Sequence, residues 1–132
     1  MKLRKFGGCL AAMLAMAMAT DAHAQSFIVC YLKVVAVGTT PDGAVFANFN
    51  VSGTTVQWWL CSTTGTTTVN TTPTTSVAIP SSACQATLAQ LMTIRASGGE
   101  AILGFNGPTA CTAAALPASQ TVPNPYPSQM MF

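Results

Sequence analysis

Four cysteines and two adjacent tryptophans are the residues of this chain whose types and spacing could do chemistry. They are Cys30, Cys61, Cys84 and Cys111, and Trp58 and Trp59. Beyond residue 24 the chain has one Lys, one Arg, one Asp, one Glu and no His. General acid–base catalysis needs a side chain that titrates near neutral pH, and a nucleophile needs an activating neighbour. The sequence therefore predicts a protein that is not an enzyme and needs no cofactor.

The cysteines fit disulfides better than a metal site. Thiolate metal sites commonly use C-x-x-C pairs or combine cysteine with His, and neither pattern occurs after residue 24. An even number of cysteines in an exported chain favours disulfides, although three pairings of four cysteines are possible. We favour Cys61 with Cys84, which brackets the Thr-rich segment 62–79, and Cys30 with Cys111, which ties the ends of the domain together.

The first 24 residues predict a signal peptide. Lys2, Arg4 and Lys5 form a basic start, residues 9–19 are apolar, and residues 22–24 have the small-x-small form that signal peptidase cleaves. The apolar run of about eleven residues is shorter than the roughly 20 needed to cross a bilayer, so we expect no membrane span. The predicted location is secreted or periplasmic, in a bacterium.

Cleavage after residue 24 would make the chain electrically neutral. The whole chain has a formal charge of +2, and the signal removes three basic residues and Asp21. Two basic and two acidic residues remain, whereas binding to nucleic acid needs several Lys or Arg on one surface. We therefore exclude nucleic acid as a partner. A weakly charged surface tends to associate, and we expect a homo-oligomer, most readily a ring.

Alternating apolar residues predict strands that position the two tryptophans. Residues 27–37 and 44–51 predict a hairpin joined by a turn at 40–43, and residues 55–61 predict a third strand. In that strand Trp58 shares one face with its apolar neighbours, while Gln57, Trp59 and Cys61 share the other. Only one tryptophan can then point fully into the core. The other, with Gln57, is a candidate ligand-binding platform; the alternative is that both are buried, one on a disulfide and one under the Thr-rich segment.

The second half of the chain predicts one helix and one further strand. Ser82 and Gln85 have the spacing of a capping box, an apolar face follows, and Gly98 supplies a left-handed stop. That face comprises Cys84, Leu88, Leu91 and Met92. Residues 100–105 resume a strand. The Thr-rich segment 62–79 favours ragged edge strands over a linker, because Thr is common in strands.

These elements predict an α+β domain with a curled antiparallel sheet or an OB-like barrel, one amphipathic helix and two disulfides. The domain would span residues 25–112. Residues 113–132 form a Pro-rich tail, in which the prolines exclude a regular helix, so we expect a docked extended segment or a short edge strand.

A family resemblance supports this architecture. After the predicted hairpin come Trp58-Trp59-Leu60-Cys61, Cys84 at a helix start, Arg95-Ala96-Ser97-Gly98-Gly99 and Ala101-Ile102-Leu103-Gly104-Phe105. This order resembles the B subunits of subtilase-cytotoxin-type and pertussis-like bacterial toxins over roughly residues 33–105. The resemblance implies an exported OB-fold subunit that assembles into a ring and binds cell-surface glycans. The Thr-rich segment and the Pro-rich tail depart from that family.

Two function classes follow from these observations. The first is an exported, non-catalytic subunit that binds carbohydrate or acts as an adhesin. The alternative is a structural or accessory envelope protein whose partner is another surface protein. Both need a neutral polar surface with exposed aromatic side chains, so the sequence leaves both open.

Overall fold

The computed structural model describes residues 26–131, and the predicted signal peptide lies outside them. Within this part of the chain, strands and one helix follow in the order β1 (Phe27–Thr39), β2 (Ala44–Val51), β3 (Thr54–Ser62), β4 (Thr67–Thr72), β5 (Thr75–Ile79), α1 (Ser81–Ser97), β6 (Glu100–Asn106) and β7 (Gln129–Met131).

Five of the strands form one antiparallel sheet in the order β3-β2-β1-β6-β7. The long strand β1 pairs with β6 along its first half and with β2 along its second half. The predicted α+β class with an antiparallel sheet is confirmed. The sheet is not closed into a barrel, so the OB-like alternative is not confirmed.

One face of the sheet carries the hydrophobic core. Trp58 lies at its centre, with ring centroids 5.3 Å from Phe49 and 5.7 Å from Phe105. Helix α1 covers this face with Leu91, which is completely buried, and with the partly buried Leu88. Removal of this apolar surface from water is the main source of stability for the domain.

A bulge in β3 changes the face on which Cys61 lies. Val45 pairs with Cys61, but the next residue, Phe46, pairs with Trp59, so Leu60 is an extra residue in β3. The prediction that Cys61 shares a face with Trp59 is therefore wrong. Because the extra residue breaks the two-residue alternation, Leu60 and Cys61 are both buried in the core.

Both predicted disulfides are formed. Cys30 in β1 bonds to Cys111, which follows β6, and Cys61 in β3 bonds to Cys84 in α1. The bulge makes the second bond possible because it turns Cys61 toward the helix side of the sheet. The first bond joins the start of the described chain to the segment that leads into the tail.

The helix starts earlier than the capping box predicts. The Cys84 amide donates to the Pro80 carbonyl at 3.1 Å, so the helix is already under way at Ser82, which is not its N-cap. Gln85 makes no capping contact. Its side-chain Nε2 donates to the Thr63 carbonyl at 3.4 Å. The predicted stop is present: Gly98 is left-handed, with a φ of 70°.

The core face of the helix also differs from the prediction in its last turn. Met92 is 56 % exposed, and Ile94 packs against the core instead. Ile94 lies three residues after the buried Leu91, which is the spacing that returns to the same face of a helix. Met92 follows Leu91 directly and is rotated away from that face.

The Thr-rich segment forms strands, as favoured from its composition. Strands β4 and β5 make a separate antiparallel hairpin. The tail is docked in an extended form: Leu116, Pro123 and Tyr126 are buried, and β7 adds an edge strand to β6. The Tyr126 amide donates to the Asn70 carbonyl at 2.7 Å, which attaches the hairpin to the tail.

Candidate functional site

The face of the sheet opposite the core is exposed and unusually apolar. We call it the open face; its residues include Phe27, Val29 and Tyr31 of β1, of which Tyr31 is 63 % exposed. An antiparallel sheet with one solvated face usually carries polar side chains there. An exposed row of large apolar side chains indicates a surface that binds something.

The two tryptophans lie on opposite faces, as predicted. Trp58 is 0 % exposed, and its indole Nε1 donates to the Pro117 carbonyl at 3.1 Å. This bond satisfies the polar side-chain atom of an otherwise apolar core residue. Trp58 therefore has a structural role and is not part of the exposed binding platform. Trp59 is partly exposed on the open face and contacts the Phe46 ring edge-to-face, with centroids 5.6 Å apart.

Two amide side chains lie next to this aromatic pair. The register that places Phe46 opposite Trp59 also places Asn48 opposite Gln57, on the same face. Side chains directly opposite one another in an antiparallel pair are close enough to act together. Trp59, Phe46, Gln57 and Asn48 are called the aromatic–amide site below. It contains two of the three predicted site residues and two that sequence reasoning missed.

Asn48 and Asn50 differ in the hydrogen bonding of their side-chain oxygens. Among residues 26–131, the enclosed Oδ1 of Asn48 finds no hydrogen-bond partner. Asn50, two residues later on the same face, accepts a bond on Oδ1 from the Gly53 amide at 2.8 Å. An enclosed acceptor without a donor costs stability, so the Oδ1 of Asn48 lowers the stability of the domain.

Gly38 makes room for the Phe46 ring. It lies opposite Phe46 in the sheet, and a Cβ added at Gly38 would be 2.6 Å from Phe46 Cζ. That distance is shorter than a carbon–carbon contact. The glycine therefore lets the far end of the Phe46 ring lie over β1, while the ring contacts Trp59.

The tail holds the strand that carries Trp59 and Gln57. Thr121 forms a parallel bridge with β3: the Trp59 amide donates to the Thr121 carbonyl at 3.0 Å, and the Gln57 amide donates to Ser119 Oγ at 2.9 Å. Gln120 adopts a left-handed conformation, with a φ of 61°, and its amide donates to the Gln57 carbonyl. The outer edge of β3 is thus occupied, which fixes the strand beneath the site.

The arrangement suits non-covalent binding. The aromatic–amide site offers ring surface together with amide groups that both donate and accept hydrogen bonds. No cluster of three His, Cys, Asp or Glu side chains able to hold a metal occurs within residues 26–131. A shallow depression lined by Met92, Arg95 and Ala96 belongs to α1 and includes no open-face residue.

No helix in the described part of the chain is long and apolar enough to cross a membrane. Comparisons with family models, with curated proteins and with solved structures found no match to this chain.

Proposed function

We propose that this protein is an exported, non-catalytic subunit that binds carbohydrate through the aromatic–amide site. The observation that carries the proposal is the cross-strand register, which places the Trp59–Phe46 pair directly beside the Gln57–Asn48 pair on an exposed face. A sugar ring presents C–H groups that stack on an indole and hydroxyls at its rim that exchange hydrogen bonds with amides. One patch of this sheet offers both kinds of contact.

The cost of Asn48 to folding supports a binding role for this patch. Its enclosed Oδ1 is unpaired within the described residues, and an enclosed acceptor without a donor lowers stability. Residues that lower the stability of a protein, with no compensating contact within it, are common where a surface is used for function. Reorientation of the amide on ligand binding would bring its polar atoms to a sugar hydroxyl.

Export and disulfide bonding support the proposed location. Two disulfides stabilise the domain, and such bonds persist in oxidising compartments outside the cytoplasm. Together with the signal-peptide pattern, they favour a secreted or periplasmic protein. The resemblance to toxin B subunits, including their OB-like fold, agrees with an exported glycan-binding subunit and is part of this proposal.

The accessory-protein alternative rests on a different observation. Tyr31, Phe27 and Val29 form an exposed apolar row on β1, outside the aromatic–amide site. Such a row is typical of a surface that contacts another protein. A partner protein bound there would make the chain an envelope component, and this would not require the aromatic–amide site.

A glycan array tests the proposal. The exported, oxidised protein is screened as wild type, Trp59→Ala and Gln57→Leu, with Met92→Ala as a matched control because it removes an exposed apolar side chain of α1, outside the open face. We expect a defined set of glycans to bind wild type and the control, and Trp59→Ala to lose at least about tenfold in affinity, the equivalent of one stacked ring. Absence of glycan binding by wild type, or retained affinity in Trp59→Ala, would contradict the proposal.

A further inference from the structure

The second half of the open face is an apolar surface distinct from the aromatic–amide site. It is formed by the first half of β1, by β6, which pairs with β1, and by β7, which pairs with β6. We call it the apolar half-face; its apolar residues are Phe27, Val29, Tyr31, Ile102 and Met131. Two polar side chains share this part of the face, Asn106 opposite Phe27 and Gln129 opposite Gly104. In the sheet, Tyr31 lies opposite Ile102, which lies opposite Met131. This row of three crosses three neighbouring strands, and the Tyr31 hydroxyl is its one polar side-chain group.

Two opposite charges border this surface. Lys33 of β1 and Glu100 of β6 are directly paired, and both are exposed. On the open face they are the next pair after Tyr31 and Ile102. They are half of the four charged side chains between residues 26 and 131, the others being Asp42 and Arg95. The charges next to the apolar half-face are thus one positive and one negative group, side by side across two strands.

We propose that a second copy of this chain packs on the apolar half-face, face to face, about a twofold axis that runs parallel to the strands midway between β1 and β6. That axis exchanges the positions of β1 and β6. Lys33 of each copy then faces Glu100 of the other, and Tyr31 of each copy faces Ile102 of the other. Val29, likewise, faces Gly104 and the Phe27 ring that lies over it.

The pairing register makes this surface complementary to itself. A twofold interface uses the same patch on both subunits, so each charge must meet its opposite in the same patch. Lys33 and Glu100 satisfy this condition because they are related by the proposed axis. The large Tyr31 side chain meets the smaller, partly buried Ile102, which lets two sheets approach to the usual packing distance of about 10 Å.

The dimer leaves the aromatic–amide site uncovered. With the axis between β1 and β6, strand β2 lies over β7 of the second copy, and β3 lies beyond its last strand. Trp59 is also displaced along the strand direction. It lies in one cross-strand row with Phe46 and Gly38, whereas the pairing of β6 with β1 ends at Lys33. The dimer would therefore carry two independent ligand sites, which raises avidity for a multivalent surface.

Charge reversal tests the proposal directly. Sedimentation equilibrium of the exported, oxidised protein measures self-association of wild type, Lys33→Glu, Glu100→Lys and the double exchange. Each single reversal places like charges face to face, and we expect it to weaken self-association at least about tenfold. The double exchange restores the opposite charges and should return the dissociation constant to within about threefold of wild type.

The decisive sample is an equimolar mixture of the two single variants. Lys33→Glu carries two negative groups at this position and Glu100→Lys carries two positive groups. The mixture should therefore form a heterodimer at concentrations at which each variant alone associates only weakly. Loss of a cross-strand contact within one copy cannot produce that recovery. Arg95→Glu, a charge reversal on α1, is the control and should leave the mass of the dimer unchanged.

Three outcomes would overturn the proposal. They are a wild-type monomer at concentrations up to hundreds of micromolar, a ring-sized mass that no variant alters, and a mixture that stays monomeric. Tyr31→Ser adds an uncharged check, because the exposed ring can be removed without loss of core packing and its loss should weaken association about tenfold. Glycan binding by monomeric variants keeps this test separate from the proposed function.

Discussion

Trp58 and Trp59 are adjacent in the chain and lie in opposite environments. Trp58 is enclosed between Phe49 and Phe105, and its only polar atom is bonded to the tail at the Pro117 carbonyl. Trp59 lies on the open face against Phe46. The strand alternation that separates them also separates a structural role from a candidate binding role.

Truncation of the two tryptophans should therefore have unequal effects. Trp58→Ala removes a fully buried ring and should cost about 3–5 kcal/mol of unfolding free energy. Trp59→Ala loses an edge-to-face contact with Phe46 and should cost only about 1 kcal/mol. Urea denaturation under non-reducing conditions measures both. Equal destabilisation by the two substitutions would mean that Trp59 is also a core residue.

Asn48 and Asn50 provide a matched pair of substitutions with opposite signs. Asn48→Val removes an enclosed acceptor that has no partner within the described residues, and should stabilise the protein by about 1 kcal/mol. Asn50→Val breaks the bond to the Gly53 amide and should destabilise it by about 1 kcal/mol. The same side chain is introduced on the same face of β2, so strand propensity cancels in the comparison.

Glycan binding gives the second readout for Asn48. If the residue is kept for binding, Asn48→Val should weaken affinity while it raises the urea midpoint. Destabilisation by Asn48→Val would show instead that the amide has a structural partner in solution.

Gly38→Ala should change the site more than it changes stability. The new methyl would lie 2.6 Å from Phe46 Cζ, so the ring must move, and the end of a side chain moves at little cost. Displacement of Phe46 removes the support of Trp59, and we expect altered near-ultraviolet circular dichroism and weaker glycan binding. Gly65→Ala is the control, because no atom lies within 4 Å of its added Cβ. Unchanged spectra in Gly38→Ala would contradict the role given to this glycine.

The two disulfides should contribute unequally to stability. The cysteines of Cys30–Cys111 are 81 residues apart and those of Cys61–Cys84 are 23 apart. In the chain-entropy model the longer loop gives about 4.5 kcal/mol and the shorter about 3.5 kcal/mol. Paired Cys→Ala variants compared by denaturation test this order, since alanine buries no unpaired polar atom.

Thiol titration of unfolded, non-reduced protein cleaved after residue 24 should detect no free thiol.

Alkaline pH should unfold the region around Tyr126. Burial raises the pKa of its phenol far above the ordinary value of about 10. The folded state therefore holds the proton more tightly than the unfolded state, so its stabilising effect is complete below about pH 10 and is lost as the pH rises further. In Tyr31→Phe the absorbance change at 295 nm reports Tyr126 alone. We expect ionisation to coincide with the loss of tertiary circular dichroism; ionisation near pH 10 in the folded protein would contradict the burial.

The sequence alone determined the features that depend on neighbouring residues. Strand alternation separated Trp58 from Trp59, because successive side chains of a strand point to opposite faces. The left-handed Gly98 ended the helix because glycine adopts positive φ without strain. The favoured cysteine pairing agrees with the structure, but the sequence allowed three pairings, and only the fold brings Cys30 to Cys111 and Cys61 to Cys84.

The tertiary structure decided the features that depend on residues distant in the chain. The bulge at Leu60 turned Cys61 into the core. The alternation of residues within one strand cannot predict such a bulge, because the extra residue appears only when the strand is paired with its neighbour. The helix began ahead of Ser82 because Pro80 already supplied the first acceptor. Phe46 and Asn48 joined the site only through their register with β3, which is set by packing between strands and not by either strand alone.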